Sequence, residues 1–407
     1  MRIIFFALKL DLQEGGGANR GMDIKLRGLH KLGHEVRLVT IFPELNRLPP
    51  EGVPYPVDEA SCTDRAFLSL QDHVLRTLRS YEEHADLFHI DGTSFLWAGG
   101  MYRAEGGRIP TVAYLPTYAE VVDKIKPEAP DPKRDLTGWF CFHVLIRIQR
   151  LKHWLWGKLV GLKYARQLDV VFVDSPVLGA AYEHFGFPKD RLEVLPEFVD
   201  EHRFRSFGVR RTDMATAYGP DRPLRLFYAG RLIRTKGPDL LIRAVANVRR
   251  SGRNVTVRIK GNGPQIERLQ CLAKGLDVSD AVKFESWADE RELAQGYAEC
   301  DVFVHPCRHP EPFGRTVLEA LFFDKPVITS KGSGSAWAVG DAGIATKMGS
   351  AVDLERAIRE LYDDPSRISK LLAAAPERIR YFDHRVWIKR LSDRLERLIA
   401  PPKSGTA

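Results

Sequence analysis

The chain predicts an α/β protein of two doubly wound domains, and three observations carry that expectation. Short apolar runs of strand length alternate with segments of helical period along most of the sequence. A polar stretch, residues 201–223, interrupts the alternation, after which a second series begins. The 407 residues also exceed what one hydrophobic core usually serves. Alternating strand and helix signals argue for parallel sheets covered by helices on both faces.

In the first series, strands are expected at 2–8, 35–40, 87–90, 111–115, 170–174 and 192–195. A helix over 19–32 stops at Gly33, a residue suited to a left-handed cap, and a longer mixed helix covers 65–84. Residues 43–56 hold five prolines and are expected as a loop. In the second series, strands are expected at 224–229, 255–261, 281–284, 302–305 and 326–330. Helices fall at 239–250, 265–274, 291–299, 316–323 and 351–362, and a last one at 386–399 has no strand after it. The expected domains are 1–205 and 206–380, with the last helix within 381–400 and a tail at 401–407.

Composition bounds the function. Apolar and charged fractions of 44% and 28% are those of an ordinary globular chain. A net charge of +8 favours anionic partners such as nucleotides or acidic lipid. The basic residues are dispersed and no nucleic-acid recognition motif is present, so nucleic acid is not an expected partner. Five cysteines with no metal spacing read as reduced thiols of a cytoplasmic protein. The start is too short for a signal peptide, and no run approaches a membrane-spanning length.

Ligands of open α/β sheets sit beyond the carboxyl ends of the strands, and the polar motifs lie at such ends. Gly15-Gly16-Gly17 follows the first strand and leads into a helix carrying Asn19 and Arg20. Glycines there bare their N–H groups beside a helix N-terminus, which suits an anion, although an ordinary turn is equally well described. Gly230-Arg231 and Lys236-Gly237 enclose a basic turn after the first strand of the second series. An arginine fork and a lysine point charge suit a diphosphate better than they suit a solvated turn. Glu311 and Glu319 stand eight positions apart around Pro312-Phe313-Gly314-Arg315. Carboxylates there can accept hydroxyls of a ribose and a sugar, while the Phe313 and Gly314 amides suit phosphate. A molecule carrying all these groups is a nucleotide sugar.

The order of motifs resembles the retaining glycosyltransferases of family 4, over about residues 2–400. The resemblance rests on Gly16-Gly17-Ala18-Asn19-Arg20, on Gly230-Arg231 with Lys236-Gly237, on Gly261-Asn262-Gly263-Pro264, and on Glu311 with Glu319. It implies the GT-B fold, in which two Rossmann-like domains, acceptor then donor, face a cleft and the last helix crosses back to the first. It further implies that Arg231 and Lys236 hold the donor diphosphate, Glu319 the ribose and Glu311 the sugar, with residues 284–287, including Trp287, beside the base. No metal or other cofactor is implied. The chain departs from the family pattern in having Pro116-Thr117 where a histidine commonly ends the strand, Glu197-Phe198-Val199-Asp200 for Asn-Gly-Val-Asp, and Ser335-Ala336 where a glutamate is usual.

On the acceptor side His89, Asp91, Tyr114 and Thr117 are candidates, with a satisfied histidine the plainer account of His89. The Asp86/His89 and His305/His309 pairs lack a third ligand at sensible spacing, so no metal is expected. Residues 136–168 hold six Lys/Arg and no acid, with a helical stripe of Leu145, Ile148, Leu151, Leu155, Leu159 and Leu162 and three tryptophans. That pattern fits either peripheral contact with an acidic membrane or a core helix with a basic outer face. The expected activity is transfer of a sugar from a nucleotide diphosphate sugar to a hydroxyl. The alternatives are an epimerase or hydrolase of nucleotide sugars, or a binder without catalysis.

Overall fold

The computed structural model describes residues 1–13, 16–64, 66–118, 144, 148, 151–152, 155–199, 201–209, 217–286 and 289–400. The chain packs as two compact units, Met1–Leu195 with Trp387–Ala407, and Pro196–Val386.

The first unit holds a seven-stranded parallel sheet. Its strands are β1 (Arg2–Ala7), β2 (Glu35–Thr40), β3 (Val57–Glu59), β4 (Leu87–Asp91), β5 (Thr111–Leu115), β6 (Val170–Val173) and β7 (Leu192–Val194). Their order in space is β3-β2-β1-β4-β5-β6-β7, so the winding reverses between β1 and β4. The central strands are buried on both faces, which is why they read as continuous apolar runs. The second unit holds β8 (Leu224–Ala229), β9 (Val255–Lys260), β10 (Val282–Glu285), β11 (Val302–His305), β12 (Val327–Ser330) and β13 (Gly343–Thr346). These are also all parallel, in the order β10-β9-β8-β11-β12-β13, and reverse between β8 and β11.

Two short strands escape the sequence reading. β3 is three residues long and borders the proline-rich loop, and β13 is a partly covered edge opening on a glycine. Several helices were also not anticipated, among them Leu96–Ala104, Pro176–Phe185, Gly334–Val339 and Ala375–Tyr381. Their local signals are present nonetheless. Ser175 caps Pro176–Phe185 by accepting from the Leu178 amide at 3.2 Å, and Gly186 closes it at φ 117°. The polar stretch after residue 200 opens with a helix, Glu201–Ser206.

From Trp387 onward the last helix, His384–Ile399, belongs to the first unit. Its Ile388 packs so close to Gly28 that a Cβ there would lie 2.7 Å away, so this helix pair requires glycine. Ser392 Oγ meets His34 Nε2 at 2.7 Å, and Arg394 donates bidentately to Glu193, to Oε1 at 2.6 Å and to Oε2 at 3.0 Å. Among the described residues, no helix is long and apolar enough to cross a membrane.

Candidate functional site

The reversal between β8 and β11 puts the loops after those two strands side by side. From β8 comes the basic turn. The Gly230 amide donates to the Lys260 carbonyl at 3.0 Å, and the Leu232 amide to the Asn262 carbonyl at 2.9 Å. The Gly261-Asn262-Gly263 turn therefore lies against this loop, and a Cβ on Gly261 would sit 1.9 Å from the Gly230 carbonyl oxygen. Arg231 is exposed, while Lys236 ends a short 3-10 turn and is partly covered.

From β11 comes the carboxylate loop. The Glu311 carbonyl accepts from the Gly334 amide at 2.7 Å, anchoring the loop. Lys236 Nζ then donates to Glu311 Oε2 at 2.5 Å, across 75 positions of sequence. Burial pushes the Glu311 carboxyl up, but Lys236 foremost, with His305 and Arg231, outweighs that and holds it below the usual carboxylate range. Gly314 at φ 83° precedes the helix Arg315–Phe322, a conformation that disfavours any side chain.

Glu319 sits on that helix and is buried. Tyr297, from the helix Glu290–Glu299, donates its hydroxyl to Glu319 Oε2 at 2.9 Å, and Arg315 Nε lies 3.3 Å from Oε1. Burial, then Glu319, pushes the Tyr297 phenol well up, so it stays a donor. Sequence reasoning missed Tyr297, because its partner is 22 positions away and on another helix. The Phe313 ring faces inward, edge-on to Phe382 at 5.4 Å and Trp337 at 6.0 Å, so only its backbone is free to serve a ligand. Trp287 lies outside the described residues.

His305 is buried with neither ring nitrogen hydrogen-bonded, and burial lowers it to about 4 despite Glu311. Its donor atoms, with those of Cys307 and Glu311, lie within 4.8 Å of one another. The sequence reading paired His305 with His309 and found no third ligand. His309 instead places Nδ1 3.2 Å from the Pro310 carbonyl, and the third ligand is supplied by the chain folding back at Glu311. Asp86 is likewise engaged by Arg2, at 2.8 Å.

In the first unit, Gly16, Gly17 and Arg20 open the helix Gly16–Lys31, and Asn19 Oδ1 accepts from the Asp11 amide at 3.0 Å. The four acceptor-side candidates fare differently. His89 is 0% exposed and stacks on Phe5 at 4.2 Å, and Tyr114 is also interior. Both side chains are covered, because β4 and β5 are buried on both faces. Asp91, at the end of β4, pairs with buried Lys25 at 3.1 Å, and the Lys25 ammonium stands 3.3 Å from the Tyr114 ring centre. Thr117 is partly exposed, and its carbonyl accepts from Tyr182 at 2.7 Å.

Two family models match, one described as Glycosyltransferase Family 4 over residues 15–203 and one as Glycosyl transferases group 1 over residues 211–378. A GDP-mannose-dependent alpha-(1-6)-phosphatidylinositol monomannoside mannosyltransferase of Mycolicibacterium smegmatis is 34% identical over 211 residues, 50% of this chain and 55% of that protein. A lipopolysaccharide core biosynthesis glycosyltransferase, LpsD of Rhizobium meliloti, is 30% identical over 54% of this chain and 61% of its own. The chain thus spans little more than half the length of these curated relatives. Among solved structures, Anabaena HepE in complex with UDP superposes with a TM-score of 0.71 at 18% identity, covering 98% of this chain and 100% of that one. Sucrose-phosphate synthase of Thermosynechococcus elongatus reaches 0.72 at 19% identity, covering 98% and 99%. With both halves matched in sequence and the two parallel sheets matched in structure, the chain belongs to the group 1, family 4 glycosyltransferases and has their GT-B fold.

Proposed function

We propose that this protein transfers a sugar, with retention at the anomeric carbon, from a nucleotide diphosphate sugar to an acceptor hydroxyl, and that no metal takes part. The observation that carries the reading is the Lys236–Glu311 pair beside exposed Arg231 at the β8/β11 reversal. Two positive groups, Lys236 held by Glu311 and Arg231 exposed beside it, suit the diphosphate that gains charge as the glycosidic bond breaks, and the Gly314 amide at a helix start suits a phosphate oxygen. Glu319, held by Tyr297, has lone pairs left for ribose hydroxyls. Glu311 is ionised and suited to accept from sugar hydroxyls. No side chain is assigned as a covalent nucleophile. The leaving phosphate takes the acceptor proton on the same face.

Incubation with a panel of labelled nucleotide sugars and hydroxyl acceptors tests the reaction. A new glycoside of unchanged anomeric configuration is expected, made equally well in EDTA. An isomerised or free sugar would point instead to an epimerase or hydrolase, and donor binding with no product to a binder.

The acceptor we propose is lipid-linked and met at the cytoplasmic face of an acidic membrane. Leu151, Leu155 and Leu159 are exposed, the last to 78%, beside exposed Lys152, Lys163 and Arg166. Trp156 turns inward, edge-on to Phe67 and Trp97, so the leucines form the outer stripe. Trp139 and Trp154 lie outside the described residues. Two of the relatives act, by name, on a phosphatidylinositol mannoside and in lipopolysaccharide core synthesis. The described cysteines Cys62, Cys271, Cys300 and Cys307 are free thiols, in keeping with a reducing compartment. Co-sedimentation with phosphatidylglycerol vesicles, lost in Leu155→Ser/Leu159→Ser, is the expected outcome. Equal binding of that variant would remove the membrane from the account.

A further inference from the structure

We propose that His305, Cys307 and Glu311 form a site for one thiophilic divalent cation of the zinc class, which competes with the Lys236 ammonium for Glu311 and so inhibits the enzyme. The inhibition rests on the proposed transfer reaction, whereas the binding does not.

One imidazole, one thiol and one carboxylate are a donor set for zinc, leaving a fourth position open. Tetrahedral zinc, with bonds of about 2.0–2.3 Å, sets its donor atoms roughly 3.3–3.6 Å apart. Here the three donors lie within 4.8 Å of one another, and Cys307 Sγ is 3.8 Å from Glu311 Oε2. Modest side-chain rotation closes that gap. His305 supplies the independent sign of a ligand. It is 4% exposed and has no hydrogen bond on either nitrogen, so its ring is uncommitted beside the other two donors. An unpaired buried imidazole is costly unless something else repays it.

The ligand backbone is already fixed. The Cys307 amide donates to Ser330 Oγ at 2.9 Å, and that hydroxyl donates back to the Cys307 carbonyl at 3.0 Å. Pro306 lies between His305 and Cys307, and Glu311 is anchored through Gly334. Entry is by way of Lys236 and Glu311, whose side chains are 19% and 17% exposed. The ammonium already sits 2.5 Å from Glu311 Oε2. A cation bound at the carboxylate therefore drives Lys236 away by charge repulsion. Binding releases the Cys307 proton to solvent as the thiolate forms. No partner steadies the second nitrogen of His305, which makes the site weaker than a structural zinc centre.

Titration of the whole chain with cobalt(II) tests the binding. Wild type is expected to develop a thiolate-to-cobalt absorption band that zinc(II) abolishes. Cys307→Ser and His305→Gln lose the band, while Cys271→Ser, which removes an exposed thiol, keeps it. In parallel, zinc(II) should inhibit turnover reversibly with EDTA, and Cys307→Ser should stay active while needing at least tenfold more zinc for half inhibition. Absence of the band from wild type, its persistence in Cys307→Ser, or its loss in Cys271→Ser overturns the site. Equal zinc sensitivity of wild type and Cys307→Ser overturns the competition. A band that behaves as expected in a protein forming no glycoside upholds the metal site and sinks the transferase reading alone.

Discussion

β4 and β11 hold the same place in their sheets, each directly beside the first strand of its series. Each carries a buried histidine without a hydrogen bond, stacked on a phenylalanine, and each ends near a lysine–carboxylate pair. The pairs differ in how they are covered. Lys25 is 2% exposed, has Tyr114 over its ammonium, and meets Asp91 in the interior. Lys236 is 19% exposed and reaches Glu311 from a turn. One geometry thus has two settings, a covered pair within the fold and an open pair that we propose meets the donor.

The largest effect expected is on that division. Lys236→Ala should lower turnover by about 10²- to 10³-fold, the usual consequence of losing one fixed donor to a developing charge. Lys25→Ala should instead lower unfolding free energy by about 3 kcal/mol in urea melts, because it strands a largely covered carboxylate. Donor affinity should hold in that variant. Exchange of these two outcomes would break the comparison.

Next comes acid. Burial, then Lys25, holds His89 well below the ordinary imidazole value of 6.5 in the folded state. The unfolded chain therefore binds the extra proton, so the contribution of His89 is complete above pH 6.5 and is lost as pH falls below it. The slope is at most about 1.4 kcal/mol per pH unit. His89→Phe should flatten melting temperature against pH below that point, and an unchanged profile would place the acid sensitivity elsewhere.

The smallest effect expected belongs to the open side. Tyr297→Phe removes one hydroxyl donor to Glu319, worth about 1 kcal/mol, or roughly fivefold in donor affinity. Calorimetric titration should show that loss for a ribonucleotide donor and far less for its deoxyribose counterpart. Equal losses would mean that Glu319 does not meet the ribose.

The same contrast explains what could be read in advance. Glu311, Gly314 and Glu319 are set by spacings within one loop and helix, and the strands by apolar runs, so both were legible. Lys25 and Asp91 are 66 positions apart, and nothing local distinguishes Lys25 from the other basic residues of its helix. The cation donors were hidden for another reason. Cysteine spacing alone showed no metal pattern, and only the return of the loop after Pro310 brings Glu311 beside His305 and Cys307. β3 and β13 were missed because three or four half-covered residues carry no period.

The first unit draws its final helix from the far end of the chain. On the ribosome, Gly28 therefore waits for Ile388 while the whole of the second unit is synthesised and emerges between them. The half made first is the half finished last.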